Sequence, residues 1–503
     1  MFKGSLMSPS SQQHPNRYVN DLQRLKAQRS ELQHFFARLF PFFIAIIFLV
    51  IVGVYGSLSL KVADENLIML VAAAIIGGYM ALNIGANDVA NNMGPAVGGR
   101  VLTVLTAVLI AAICESAGAI LAGGDVVKTV AKGIIQPGEG LTLGDFRDLM
   151  LSALFAAALW VNLATYLNAP VSTTHSIVGG VMGAGIAAAG FGLVNWPTMA
   201  KIAASWVISP VFGGIIAATI LLFIQVKVFN TGERRKAAKT WVPVLIGLMA
   251  GAFAAYMALK GLKKIWKPST VEIIVYSCIA FLICWLASIP YISKLSDKLS
   301  DRKKDINSLF HLPLIIGVAL LSFAHGANDV ANAIGPLAAI VSTFSQASVE
   351  AKVAIPMWVL LIGAAGLALG LLLFGPKLIN TVGQKITRLN APRSYCVALA
   401  SAITVLIATT LGLPVSSTHI AIGAIFGVGF LREIIENPAK RRLKPGHKLN
   451  ATAQDAFDNI NARLSRKLVR RQFVYSIAAA WVITVPASAV LAAFLFFALQ
   501  YLI

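Results

Sequence analysis

Apolar runs of about 20 residues recur along this chain, and about 20 is the length an α-helix needs to cross hydrocarbon. They lie near residues 38–60, 66–84, 101–121, 147–167, 175–190, 200–226, 241–261, 271–293, 309–325, 354–375, 393–412, 416–431 and 473–500. The pattern predicts an all-α integral membrane protein with about 12 membrane segments. The first run is too long and too far from Met1 for a secretory signal, so it predicts a retained helix. Before it, residues 17–38 are basic, and Tyr18, Leu22, Leu25, Leu32 and Phe36 fall at roughly helical spacing. That suits either an interfacial amphipathic helix or a basic flank that anchors topology.

The polar interruptions are not random. Gly-Ala-Asn-Asp-Val-Ala-Asn stands at residues 85–91 and again at 326–332, each time at the end of an apolar run. Gly94-Pro95 and Gly335-Pro336 follow at the same offset. A second pair comes later in each half: Pro170-Val171-Ser172-Thr173-Thr174-His175 with Gly179, and Pro414-Val415-Ser416-Ser417-Thr418-His419 with Gly423. A weaker third pair is Trp206-Val207-Ile208-Ser209 and Trp481-Val482-Ile483-Thr484. The shared order means that the chain is a duplication. It divides into an N-terminal extension (1–37), an extra membrane helix (38–65), a first repeat (66–226), a linker with a helical hairpin (227–308) and a second repeat (309–503).

Composition agrees with the pattern. Of 503 residues, 57% are hydrophobic and 13% charged, about half the roughly 25% charged share of soluble domains. The net charge of +21 could suggest a nucleic-acid partner, but the basic residues crowd into 227–240, 294–304 and 432–471, between apolar runs. That is the positive-inside pattern, without aromatic interleaving or a nucleic-acid motif, and no nucleic-acid partner is expected. It places the N-terminus and these loops in the cytoplasm, although Lys260, Lys263, Lys264 and Lys267 then fall outside. The basic loop 432–471 precedes Trp481, whereas residues 190–199 before Trp206 carry no Lys or Arg. Matched points therefore lie on opposite sides: an inverted repeat with broken helices at the midplane, as in many secondary transporters. Cys114, Cys278, Cys284 and Cys396 sit in apolar stretches without C-x-x-C spacing and read as small buried hydrophobes.

The two motifs carry the candidate chemistry. A carboxylate near the bilayer centre costs roughly 2.5–3.5 kcal/mol on insertion scales, so Asp88 and Asp329 mark function. With Asn87, Asn91, Asn328 and Asn332 they offer hard oxygens of mixed charge, which suit a small cation, a structural knot or a protonatable relay. The Gly, Asn, Ser and Pro of both motifs predict broken helices. Pro170 and Pro414 suit helix starts, putting Ser172, Thr173, Thr174, Ser416, Ser417 and Thr418 in first turns. There the free N–H groups and positive dipole end form an anion site, unless the hydroxyls merely cap. His175, His419 and the unmatched Glu115 are accessory candidates. Gly123–Thr129 lacks the glycine before Lys128 that a phosphate loop requires, and no enzyme signature or ATPase segment is present.

Two GANDVAN motifs and two PVS[ST]TH motifs in inverted halves resemble the inorganic phosphate transporter (PiT) family of symporters, over about residues 66–500. The resemblance implies inorganic phosphate as substrate and Na+ or H+ as coupling ion, with no cofactor. It implies that Asp88, Asn91, Asp329 and Asn332 hold the cation and help hold phosphate, and that Ser172, Thr173, Thr174, Ser416, Ser417 and Thr418 bind phosphate. Asn87 and Asn328 resemble the sodium-linked branch, since a His often replaces this Asn in the proton-linked bacterial branch. The expected partners are inorganic phosphate, Na+ and membrane lipid, with a homodimer as the assembly to test. The expected location is the plasma membrane, a bacterial inner membrane. Sulfate or metal-phosphate permeation, proton coupling and an uncoupled anion channel are the alternative readings.

Overall fold

In a computed structural model, the described residues are 39–60, 63–136, 141–167, 171–261, 267–345, 355–382, 389–435 and 472–502. The expected amphipathic segment at 17–38, Pro170, Lys263, Lys264 and most of the basic loop 432–471 lie outside them. The chain forms two compact units, Met1–Val50 and Ile51–Ile503. In the first unit, the described residues belong to the start of helix α1 (Leu39–Ser59).

The second unit continues with α2 (Asp64–Gly98), α3 (Val104–Ala122), α4 (Gly124–Lys128), a π-helical turn (Thr129–Gly133), α5 (Leu143–Tyr166), α6 (Thr173–Ala189) and α7 (Trp196–Ile224). After α8 (Arg234–Tyr256), α9 (Thr270–Asp297) and α10 (Lys303–Ile306) come α11 (His311–Ser345), α12 (Met357–Val382), α13 (Ala391–Thr410), α14 (Ser417–Ile435) and α15 (Gln472–Leu502). Among the described residues there is no β-strand, only the isolated bridge between Ile135 and Val194. Among the described residues, twelve helices are long and apolar enough to cross a membrane. The apolar run at 175–190 is α6, whose 17 residues fall short of that length.

Polarity is inverted relative to a soluble fold. Asp88, Glu115, His325 and Asp329 are buried, whereas Ile208, Val211 and Ile215 of α7 and Ile279, Ile283 and Leu286 of α9 are exposed. Hydrocarbon, not water, is the solvent that such an exterior suits. One of the four lysines that break the charge rule has a local partner: Lys260 Nζ lies 2.5 Å from Asp125 Oδ2.

The repeat is visible as matched packing. α2 runs along α12 as α11 runs along α3, and α6 runs along α15 as α14 runs along α7. Glycines set each of these crossings. A Cβ on Gly85 would fall 2.1 Å from Leu367 O, and one on Gly326 would fall 2.0 Å from Glu115 O. The reciprocal glycines Gly370 and Gly118 meet Leu82 O and Phe323 O, each at 2.0 Å. At the other pair of crossings Gly183 meets Ala489 O at 2.2 Å and Gly427 meets Gly214 O at 2.0 Å. Between membrane helices, where lipid is as apolar as leucine, such close backbone approach is a main source of adhesion.

The expected helix breaks divide into two cases. At the Pro-Val-Ser motifs the break exists: α5 ends at Tyr166 before α6 begins at Thr173, and α13 ends at Thr410 before α14 begins at Ser417. At the Asn-Asp motifs it does not. Both α2 and α11 run unbroken for 35 residues through the heptapeptide and through Pro95 or Pro336. The glycines there serve helix crossing rather than helix breaking, and the asparagine side chains find partners on neighbouring elements instead of unwinding their own.

Candidate functional site

The two unbroken helices deliver the Asn-Asp motifs to the two broken ones. Asp88 accepts hydrogen bonds from Thr173 Oγ1 (3.2 Å) and Thr418 Oγ1 (3.0 Å), one hydroxyl from the helix start of each half. Asn91 donates to Asp88 Oδ1 at 3.3 Å and to Thr418 Oγ1 at 2.8 Å. On the other side, Asp329 Oδ2 accepts from Ser417 Oγ at 2.9 Å, and Asn332 donates to Thr173 Oγ1 (3.3 Å) and Thr174 Oγ1 (3.0 Å). Thr174 in turn donates to Val415 O at 2.9 Å. Asp88, Asn91, Asn332, Thr173, Thr174 and Thr418 thus form one network that crosses the two halves, and Asp329 with Ser417 forms a separate hydrogen-bonded pair.

Ser172 and Ser416 face another way. Each is the residue before the helix start. Ser172 Oγ accepts from His175 N at 3.1 Å and Ser416 Oγ accepts from His419 N at 3.4 Å, the N-cap geometry that satisfies an orphan donor of the first turn. His175 Nδ1 also lies 2.6 Å from Ser172 Oγ. The His175 ring meets the His419 ring edge-on, with centroids 4.9 Å apart.

Asn87 and Asn328 reach away from the carboxylates toward the segments that lead into the helix starts. Asn87 donates to Thr165 Oγ1 at 2.9 Å, and Asn328 donates to Thr409 Oγ1 at 3.0 Å, the matching contact of the second half. Asn328 also donates to Leu413 O (3.1 Å) and accepts from Val415 N (3.2 Å), so its amide clamps the loop into α14. For Asn328 this is a positioning contact: a backbone loop at membrane depth needs its N–H and C=O groups satisfied inside the protein.

The residue that sequence reading missed is His325. It is buried, and Nε2 lies 3.0 Å from Asp329 Oδ2 and 3.7 Å from Asp88 Oδ2. Its Nδ1 lies 3.2 Å from Glu115 Oε2, and Asn92 donates to Glu115 Oε1 at 2.8 Å. Glu115 therefore belongs to the site, although on the far side of the imidazole from the two aspartates. Asp88, His325 and Asp329 bring one ligand atom each within 4.8 Å of one another, a spacing that a metal ion could bridge. The available signal was a difference between the repeats: His325 stands immediately before the second heptapeptide, where Ile84 stands before the first. The glycine crossings likewise equate Glu115 with Leu367.

Among the buried acceptors without a hydrogen-bond donor at this centre are Asp329 Oδ1 and Asn332 Oδ1, beside the two aspartates, and Asn92 Oδ1 and Glu115 Oε2 on the far side of the imidazole. An unpaired oxygen at such depth is expensive, and a bound cation satisfies it as a donor would. Carboxylate and amide oxygens are the ligands that hard cations take.

The chain was compared with known proteins. The profile of the phosphate transporter family matches residues 84–492. A candidate phosphate permease of Helicobacter pylori is 42% identical over 487 residues, covering 88% of this chain and 91% of that protein. Inorganic phosphate transporter 2-1, chloroplastic, of Arabidopsis thaliana is 34% identical over 461 residues, covering 87% of this chain and 73% of that one. A solved structure described as the sodium-dependent phosphate transporter aligns with a TM-score of 0.75 at 36% identity, over 87% of this chain and 100% of that one.

Proposed function

Since the chain belongs to the phosphate transporter family, we propose that it imports inorganic phosphate by cation symport, with Na+ as the driving ion. One observation carries the reading. Asp88 accepts hydroxyls from the helix starts of both halves, so the carboxylates and the anion-binding helix ends share one space. A carboxylate beside a phosphate repels it, and a cation held by Asp88, Asp329, Asn91 and Asn332 removes that repulsion. Each ion then raises the affinity of the site for the other, and that mutual dependence is the thermodynamic basis of coupled transport.

The donorless oxygens of Asp329 and Asn332 support the cation half of this reading. The first-turn groups of α6 and α14, from Thr173 and Ser417 onward, support the anion half. On this reading the protein is a multi-pass plasma-membrane protein, in a bacterial inner membrane, with its N-terminus in the cytoplasm.

His325 favours a second reading, proton coupling, because an imidazole in contact with both aspartates can carry a proton through the site. Labelled phosphate uptake into proteoliposomes separates the two. Uptake driven by an inward Na+ gradient is expected. Uptake indifferent to Na+ but driven by a pH gradient moves the assignment to proton symport. Transport of sulfate without phosphate overturns the substrate, and flux that neither saturates nor concentrates indicates a channel.

A further inference from the structure

For two helix starts to grip one anion, their separation must be held to within about 0.5 Å. The structure shows what spans that separation. Thr174 Oγ1 donates to Val415 O, but Thr174 also receives Asn332 and so faces the site. Behind the site lies Trp206, on α7 of the first half, only 8% exposed. Its indole Nε1 donates to Pro414 O at 3.1 Å, in the loop that leads into α14 of the second half. Its ring stacks on His175 of α6, with centroids 3.8 Å apart and planes at 29°.

We propose that Trp206 is a positioning residue that fixes the spacing of the α6 and α14 starts, and thereby the affinity for phosphate. The inference rests on the phosphate reading given above. Three features support it. The indole touches both helix starts, through His175 on one side and Pro414 on the other. Its N–H satisfies a loop carbonyl that lipid could not. Its own helix is fixed against α14 just beyond it, because a Cβ on Gly423 would fall 2.1 Å from Pro210 O and one on Gly427 would fall 2.0 Å from Gly214 O. A shift of α6 relative to α14 must therefore break the stack or the hydrogen bond.

The test uses the purified full chain, with inorganic phosphate binding in detergent, phosphate uptake in proteoliposomes and thermal denaturation. Trp206→Phe keeps a ring against His175 and removes the N–H. Its dissociation constant for phosphate is expected to rise about threefold to tenfold, the value of one hydrogen bond. Trp206→Leu loses the stack as well and is expected to rise further. The half-saturating Na+ concentration at saturating phosphate should change by less than about twofold in both, because no contact of Trp206 is with a carboxylate. Trp241→Phe, on α8, should match wild type in every measurement. An unchanged phosphate constant in Trp206→Phe overturns the proposal. So does an equal rise in the phosphate and Na+ constants, or a lowered melting temperature with an unchanged phosphate constant in the folded fraction. If the wild-type chain itself neither binds nor carries phosphate, the functional reading fails and this inference fails with it.

Discussion

His325 Nδ1 lies 3.2 Å from Glu115 Oε2, and the contact has no polar counterpart across the repeat. The equivalent positions are Ile84 and Leu367, both buried and apolar. A twofold-like site thus carries one polar flank, formed by Asn92, Glu115 and His325. Its other flank is apolar. The imidazole is closer to Asp329 than to Asp88, which adds to the difference in hydrogen-bond donors between the two carboxylates.

This asymmetry has a measurable energetic consequence. Removing one partner of a buried polar pair leaves the other unsatisfied at a cost of about 1–3 kcal/mol, whereas replacing both by apolar groups of similar shape can be nearly neutral. Glu115→Leu is therefore expected to lower the melting temperature in detergent. Glu115→Leu with His325→Ile, which copies the apolar flank, is expected to melt higher than Glu115→Leu alone. A double variant less stable than the single one would show that the contact is not a mutually dependent pair.

Asp88→Asn and Asp329→Asn should each reduce Na+-driven phosphate uptake to below about a tenth of wild type, since each removes a full charge from the shared space. Membrane insertion should persist, because a neutral amide costs less at that depth than a carboxylate. Uptake into proteoliposomes, normalised to reconstituted protein, gives the answer. Normal transport by both variants would end the cation-site reading.

Asn328→Ala should raise the half-saturating phosphate concentration at least about tenfold, because it removes three hydrogen bonds worth about 1 kcal/mol each, two to the loop into α14 and one to Thr409 of α13. Thr409→Val removes one of the three partners and should produce a smaller rise. Uptake kinetics at fixed saturating Na+ make the comparison. A larger effect from Thr409→Val than from Asn328→Ala would contradict the clamp.

Gly85→Ala and Gly326→Ala should each sharply reduce the yield of monodisperse protein in detergent. The added methyl would meet a backbone oxygen at 2.1 Å or 2.0 Å, and no side-chain rotation relieves a clash with backbone. Gly192→Ala, with nothing within 4 Å of its Cβ position, should behave as wild type. Size-exclusion profiles of the extracted proteins make the comparison. A normal profile for both clashing variants would mean that the α2–α12 and α3–α11 crossings can open without cost.

Much of this protein was legible before any tertiary contact was known, and the reason is locality. The length of apolar runs, the duplicated heptapeptide and the prolines before the Ser/Thr clusters are properties of short segments. They sufficed for a helical membrane fold, for the duplication, and for helix starts near Pro170 and Pro414, although the helices begin three residues later, at Thr173 and Ser417, and leave Ser172 and Ser416 just before the first turn. The Asn-Asp helices were misjudged because glycine and asparagine are helix-weakening only in isolation. In α2 and α11 the glycines admit a neighbouring backbone, and Asn87 and Asn328 find threonines on α5 and α13.

What the tertiary structure alone decided is which residues distant in the chain share the buried centre. The sequence marks Asp88 and Asp329 as costly. It cannot show that Thr173 and Thr418 both reach Asp88, that Trp206 of one half touches Pro414 of the other, or that His325 stands between the aspartates and Glu115. Local pattern follows from the periodicity of a single helix and its match to the bilayer. The site follows from where helices cross, and that is fixed by steric fit between backbones hundreds of residues apart in the chain.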